Sequence, residues 1–315
     1  MKRIWRHMRQ LWPRWTLAPG LPFVAYGLLW IVRGGVRWDH VLLMLLVPLI
    51  AYGTPSTKRF FVGMLPFICT GVFYDSTRFF KNWGLSETTV HVCDLWETEK
   101  KLFGIPTASG RIAVADYFHD HHALWADVLC AIPYATFFFI VLAYGAYLYV
   151  RDFTGLRRFG WAFMLMSVAG FLTYHIYPAA PPWYLRLHGC AVDLQAHSSA
   201  GEALTRVDSF TRLAFFDGLY GRASEVFGAM PSLHVAFPLL TCLAAWRNHR
   251  WTVRSLLVAF YLSMCFSALY LDHHWVLDII AGSLYAVAAR LIVWPLITEP
   301  APHACAPPSQ FATHD

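Results

Sequence analysis

Apolar runs of near-membrane length, set apart by short loops crowded with arginine, constrain this chain more than any other feature. They fall at roughly 17–33, 39–53, 59–75, 126–150, 159–178, 232–248, 255–272 and 274–296. A bilayer core takes about 20 apolar residues per helical pass, and only helices or closed barrels satisfy their backbone there. Several runs are shorter than that, and the first two fit an embedded hairpin as well as two passes. The reading is therefore roughly six to eight spans. Composition agrees: 57% of the 315 residues are hydrophobic and 14% charged, against about 25% charge in a soluble domain. The expected fold class is all-α, a polytopic transmembrane helical bundle.

The charges give the bundle a direction. Arg151, Arg157 and Arg158 crowd one short loop, Arg247, Arg250 and Arg254 another, and Lys58 and Arg59 a third. The positive-inside rule puts these loops and both chain ends in the cytoplasm. Arg33 and Arg37 then fall on the opposite side. The expected organisation is a basic cytoplasmic N-terminus over 1–16, a single integral membrane catalytic domain over 17–296, and a disordered cytoplasmic tail over 297–315. The long stretches 76–125 and 179–231 face away from the cytoplasm. In the first, Glu97, Glu99, Lys100 and Lys101 beside Trp96 and Phe103 suit a helix lying at the interface. Cys93 and Cys190 fall in these two stretches, which leaves a disulfide between them open. The net charge of +6 follows from topology signals, so no nucleic-acid partner is expected; the lipid bilayer is.

Two segments carry the chemistry: Gly228-Ala229-Met230-Pro231-Ser232-Leu233-His234 and Tyr270-Leu271-Asp272-His273-His274-Trp275-Val276-Leu277-Asp278. Ionisable groups at a membrane boundary are costly unless they have a task. Pro231 fits the first position of a helix. That helix descends, turns near Arg247–Arg254 and returns, each pass covering roughly 25 Å at about 1.5 Å per residue. His274 thus comes back to the depth of His234. His274 and Asp278, four residues apart, are expected to share one helix face. The carboxylate then fixes the imidazole tautomer and leaves the other nitrogen free as a nucleophile. His274 is expected to attack phosphorus, His234 to act as acid and then base, and Ser232 with helix N–H groups to hold phosphate oxygens.

At these residues the chain resembles the type 2 phosphatidic acid phosphatase superfamily, whose second and third motifs read P-S-G-H and S-R-x5-H-x3-D. Here they read Pro231-Ser232-Leu233-His234 and Ser267-Ala268, five residues, His274, three residues, Asp278. Leu233 replaces the glycine, Ala268 replaces the phosphate-gripping arginine, and no K-x6-R-P first motif occurs. With Tyr177-Pro178-Ala179-Ala180-Pro181-Pro182-Trp183-Tyr184, these departures make the chain similar to the inositol phosphorylceramide synthases, the target family of aureobasidin A. The resemblance covers about 172–282. It implies a six-helix phosphatidic acid phosphatase-like core and a catalytic triad of His234, His274 and Asp278. It also implies transfer of a phosphoinositol head group from phosphatidylinositol to a ceramide-type lipid, with release of diacylglycerol. The compact size points to a bacterial cytoplasmic membrane, with the active site on the extracytoplasmic side. The alternatives are a lipid phosphate or pyrophosphate phosphatase using water, and a non-catalytic membrane scaffold.

With Ala268 in place of arginine, another cation has to meet the phosphate. Arg186 and Arg78 are the candidates, with Arg222 behind them. Tyr270, one turn before His274, is a candidate pocket residue. His119, Asp120, His121 and His122 form a dense cluster. Adjacent histidines on one loop lack metal-ligand spacing, however, and a phosphohistidine route needs no metal. Neither a metal nor a cofactor is expected.

Overall fold

The computed structural model describes residues 2–298 apart from 82, 222, 224 and 248. Arg222 and the tail from residue 299, which the sequence reading takes as disordered, lie outside the described residues. The chain opens with α1 (Lys2–Leu11), α2 (Leu21–Val32), α3 (Trp38–Tyr52) and α4 (Pro55–Ser76). The segment after it folds as α5 (Cys93–Phe103), a hairpin of β1 (Ile105–Thr107) and β2 (Gly110–Ile112), and α6 (Val114–Asp120). Then come α7 (Leu124–Arg151) and α8 (Phe153–Ile176), the short helices α9 (Pro182–His188), α10 (Gly201–Thr211) and α11 (Phe215–Tyr220), and finally α12 (Leu233–Ala245), α13 (Trp251–Tyr270) and α14 (Val276–Leu296).

Among the described residues five helices, α4, α7, α8, α13 and α14, are long and apolar enough to cross a membrane; α2, α3 and α12 are apolar but shorter. The 13 residues of α12 would span only about 20 Å. Its place in the bundle removes the difficulty. It packs against α7, α8, α13 and α14, so most of its length is covered by protein rather than lipid. Between apolar helices in lipid, close packing replaces water exclusion as the cohesive force. Small residues therefore mark the α4–α8 seam, where Gly63 faces Leu156 and Gly160 faces Phe67.

Three local details differ from the sequence reading. The helix expected from 159 begins at Phe153, because Asp152 alone makes the turn from α7 and its side chain accepts the Gly155 N–H at 2.7 Å. Pro231 precedes the N-cap Ser232 rather than opening α12. Arg37, out of place by the charge rule, pairs with Asp39 at 2.7 Å and with Asp75 at 2.6 Å near the end of α4. Cys93 and Cys190 are joined in a disulfide, which ties α5 to the segment after α9. The helices α5, α6 and α9–α11 belong to the two long inter-span stretches, at the end of the bundle where α4 and α8 finish and α12 and α14 begin.

Candidate active site

The local fold at this end is built from backbone hydrogen bonds among three non-helical segments. The Ala179 N–H donates to Phe227 and the Ala229 N–H donates back to Ala179, at 2.9 and 3.1 Å. The His91 N–H donates to Pro178 and the Ala180 N–H to His91, at 2.8 and 2.9 Å. The aromatic segment around 177–184 also reaches the third motif. The Trp183 N–H donates to Asp272 at 2.9 Å, and the Trp275 indole donates to the Ala180 carbonyl at 2.9 Å. This segment is the clamp that holds the two histidine motifs together.

Within the clamp, His234 and His274 meet. Nδ1 of His234 lies 3.2 Å from Nε2 of His274. On its far side the His274 Nδ1–H donates to the Ala229 carbonyl at 3.0 Å and to Asp278 at 3.3 Å. Two acceptors at Nδ1 fix the proton there and leave the Nε2 lone pair facing Nδ1 of His234. Burial pushes the His274 imidazole down to about 4, which keeps that lone pair available near neutral pH. His274 is not itself helical. It precedes α14, and Asp278, three residues into that helix, reaches back to it while also accepting the Trp275 N–H at 2.8 Å. The His–Asp contact therefore comes from a capping carboxylate at the helix start and not from a shared helix face.

The two helices that follow the histidine motifs are stitched directly. The Ser232 N–H donates to the Asp278 carbonyl at 2.9 Å. A Cβ at position 282 would overlap the Ser232 carbonyl oxygen, so the approach of α14 to the start of α12 requires Gly282. The Ser232 hydroxyl is buried and has no partner among the described residues. Behind the turn, Glu99 of α5 is fully buried and accepts the Val276 and Leu277 N–H groups at 2.7 and 3.3 Å. It fills donor valences that the first turn of any helix leaves open.

The paired histidines stand at the head of a cavity of about 460 Å³ that runs down between α4, α7, α8 and α12. Its wall is largely aromatic and includes Phe67, Phe137, Phe163, Phe171 and Phe237. Tyr134 stacks on His234 with ring centres 4.8 Å apart. No arginine or lysine lines this cavity among the described residues.

Arg186 and Arg78 are not on this wall. Arg186 pairs with Asp116 at 2.8 Å and with Asp272 at 3.1 Å, and its pKa is raised by those two carboxylates against the opposing effect of burial. Asp272 also pairs with His119 at 3.1 Å. Arg78 lies 3.2 Å from Asp75, which in addition accepts from Tyr26, Arg37 and His40. The Tyr270 hydroxyl is engaged with the backbone of Ala123 at the start of α7. The other loop histidines serve locally, with ring contacts from His121 to the Tyr117 carbonyl and from His122 to the His119 carbonyl. Sequence reasoning missed Glu99 and Tyr134. A glutamate on an amphipathic helix reads as solvated, and a tyrosine within an apolar run reads as packing.

This arrangement supports nucleophilic attack on a phosphorus held under the rings, with the substrate's apolar part in the aromatic cavity. Residues 109–292, which include both histidine motifs, match the PAP2 superfamily. Over 82% of its length the chain is 30% identical to the phosphoinositol dihydroceramide synthase of Bacteroides thetaiotaomicron, of which it covers 84%. It is 29% identical over 74% of its length to an inositol phosphorylceramide synthase of Candida albicans. It is 28% identical over 73% of its length to the inositol phosphorylceramide synthase catalytic subunit of Saccharomyces cerevisiae. The chain spans about half the length of those two fungal proteins, 48% and 55%. No solved structure matches.

Proposed function

The chain belongs to the PAP2 superfamily, and from that premise we propose that it is a lipid phosphotransferase. In this reading it moves a phosphoinositol head group from phosphatidylinositol to the primary hydroxyl of a ceramide-type lipid. The observation that carries the reading is the 3.2 Å contact between His234 Nδ1 and His274 Nε2 at the head of an apolar cavity. The names of the relatives supply the substrate class.

Two displacements follow. The Nε2 lone pair of His274 attacks phosphorus and a P–N bond forms. The bond from phosphorus to the diacylglycerol oxygen breaks, and His234, which takes up a proton when the anionic phosphodiester binds beside it, gives that oxygen its Nδ1 proton. Diacylglycerol leaves and His234 is neutral. The acceptor hydroxyl then attacks phosphorus, His234 takes its proton, and the P–N bond breaks to restore His274. Asp278 and the Ala229 carbonyl hold the Nδ1 proton throughout, and Ser232 with the first N–H groups of α12 stands next to the developing charge.

The wall chemistry favours a phosphodiester over a phosphomonoester. A diester carries one negative charge near pH 7 and a monoester nearly two. A cavity lined by histidines and aromatic rings, with no arginine or lysine among the described residues, suits the smaller charge. Orientation follows the same evidence. Arg157, Arg158, Arg247, Arg250 and Arg254 lie at or next to the bundle end where α8 and α13 begin and α12 ends, opposite the histidines. The disulfide lies on the histidine side. Both features support an active site facing away from the cytoplasm, in an oxidising compartment.

The test is direct. Purified protein receives labelled phosphatidylinositol with and without ceramide, and the products are resolved by mass. A phosphoinositol ceramide formed only with acceptor, together with diacylglycerol, is the expected result. Phosphate release from a lipid phosphate without any transfer would replace this reading with a water-using phosphatase.

A further inference from the structure

His273 is a histidine of the third motif that the chemistry above leaves unused. Its side chain is almost wholly buried, at 3% exposure, and lines the same cavity as His234 and His274. The ring is held from several directions. The Tyr134 ring of α7 and the Tyr220 ring of α11 meet it edge to face, with centres 5.2 and 4.8 Å away. The backbone of Gly201 packs on its Cε1 edge, where an added Cβ would come within 3.2 Å, and Gly201 has a φ of +69° that glycine adopts without strain. Asp272, with φ of 64°, turns the chain so that its own carboxylate meets Arg186 and His119 while the next residue faces the cavity.

One nitrogen of this fixed ring is satisfied and the other is not. The Nδ1–H donates to the Leu271 carbonyl at 3.0 Å, and Nε2 is buried with no partner among the described residues. A buried polar atom without a partner is rare enough to require an explanation. With the proton of the neutral ring on Nδ1, Nε2 is an acceptor. A lone pair facing a phosphate oxygen repels it; a lone pair facing a hydroxyl binds it. Building on the phosphotransfer reading above, we propose that Nε2 of His273 accepts a hydrogen bond from a substrate hydroxyl beside the reacting phosphorus. That hydroxyl is either on the inositol ring of the donor or the primary alcohol of the acceptor lipid. Burial, with His234 and His274 facing the ring, pushes His273 down to about 3, which keeps Nε2 unprotonated. Tyr134, stacked on His234 and edge-on to His273, spaces the acceptor from the acid–base ring.

The experiment compares His273→Phe, which keeps a ring and lacks the acceptor, with His273→Gln, whose amide oxygen can take the place of Nε2. If the hydroxyl belongs to inositol, His273→Phe lowers kcat/KM for phosphatidylinositol about 10- to 100-fold, both in transfer and in slow hydrolysis by water. If it belongs to the acceptor, the ceramide dependence falls by that amount and hydrolysis is unchanged. In either case His273→Gln recovers most of the loss. Inhibition by phosphatidic acid, which has the phosphate and no polyol, stays within about twofold. Equal weakening of phosphatidic acid binding would assign the contact to phosphate and overturn the proposal. So would wild-type kinetics in His273→Phe. If the phenylalanine variant does not fold, as judged by thermal unfolding, His273→Met against His273→Gln makes the same comparison. A wild-type protein with no transferase activity would defeat the functional reading; a transferase insensitive to position 273 defeats only this inference.

Discussion

One short turn, residues 271–275, separates two polar regions that obey opposite rules. On one side His234, His273 and His274 line a largely aromatic cavity; among the described residues the carboxylate paired with them is Asp278 behind His274, and Nε2 of His273 has no partner. On the other side Arg186, Asp272, Asp116 and His119 form a close ion cluster in which every charge has an opposite charge within 3.1 Å. The contrast shows how this fold divides labour. Full charges are consumed in fixing the backbone, where pairing makes their burial tolerable. Imidazoles, which can be buried uncharged and take up a proton when an anionic substrate arrives, are placed where bonds must form and break. A conspicuous arginine near a phosphate site is thus as able to build the wall as to hold the ligand.

The largest effect should come from the reactive side. His274→Ala removes the nucleophile and is expected to lower head-group transfer by about 10³-fold or more, with thermal unfolding little changed; transfer at more than a tenth of the wild-type rate would move the nucleophile elsewhere. Gly282→Ala tests the seam beneath both regions. A Cβ against the Ser232 carbonyl must push α14 from α12, and a shift of order 1 Å at His274 costs about 10²-fold in kcat, measurable by initial rates at saturating lipid. Arg186→Ala probes the ion cluster. Asp116 left without its cation, and Asp272 left with His119 alone, should lower stability by about 2 kcal/mol, less than the roughly 3–5 kcal/mol of a fully buried pair, and KM for phosphatidylinositol should stay within about twofold. A large rise in that KM with unchanged stability would instead make Arg186 a phosphate ligand.

The smallest effect concerns Glu99, which caps the start of α14. Burial pushes its carboxyl up to about 7 from an ordinary 4.5. The folded protein therefore holds this proton more tightly than the unfolded chain does. The stability it contributes is complete below about 4.5 and is lost as pH rises through about 7. The thermal midpoint should fall by a few degrees between about pH 5 and pH 8 in the wild type and vary less in Glu99→Gln. An identical pH slope in both proteins would show that Glu99 does not titrate in that window.

Much of this was readable from the chain. The apolar runs located the long helices, and the two histidine motifs located the chemistry. The down-and-up path through α12 and α13 explained how residues forty apart could meet. The remainder was hidden because it depends on backbone atoms, which no side-chain pattern reports. Ala229 orients His274 through a carbonyl, Ala180 anchors Trp275 through another, and Asp152 shortens a loop to a single residue. Glu99 was hidden for a different reason: its partners are N–H groups 177 and 178 residues away.

Sequence alone determined that the chain is a helical membrane protein with a histidine–histidine–aspartate constellation at one membrane boundary, because hydropathy and motif spacing are properties of the chain as a line. Only the tertiary structure decided which charged groups are consumed in pairing and which polar atoms stay open to a ligand. Arg186 and His273 are equally conspicuous in the sequence; packing gives one two carboxylates and leaves the other a free lone pair. That outcome rests on distances across separate segments, and electrostatic pairing over a few ångströms is settled only when those segments have been brought together.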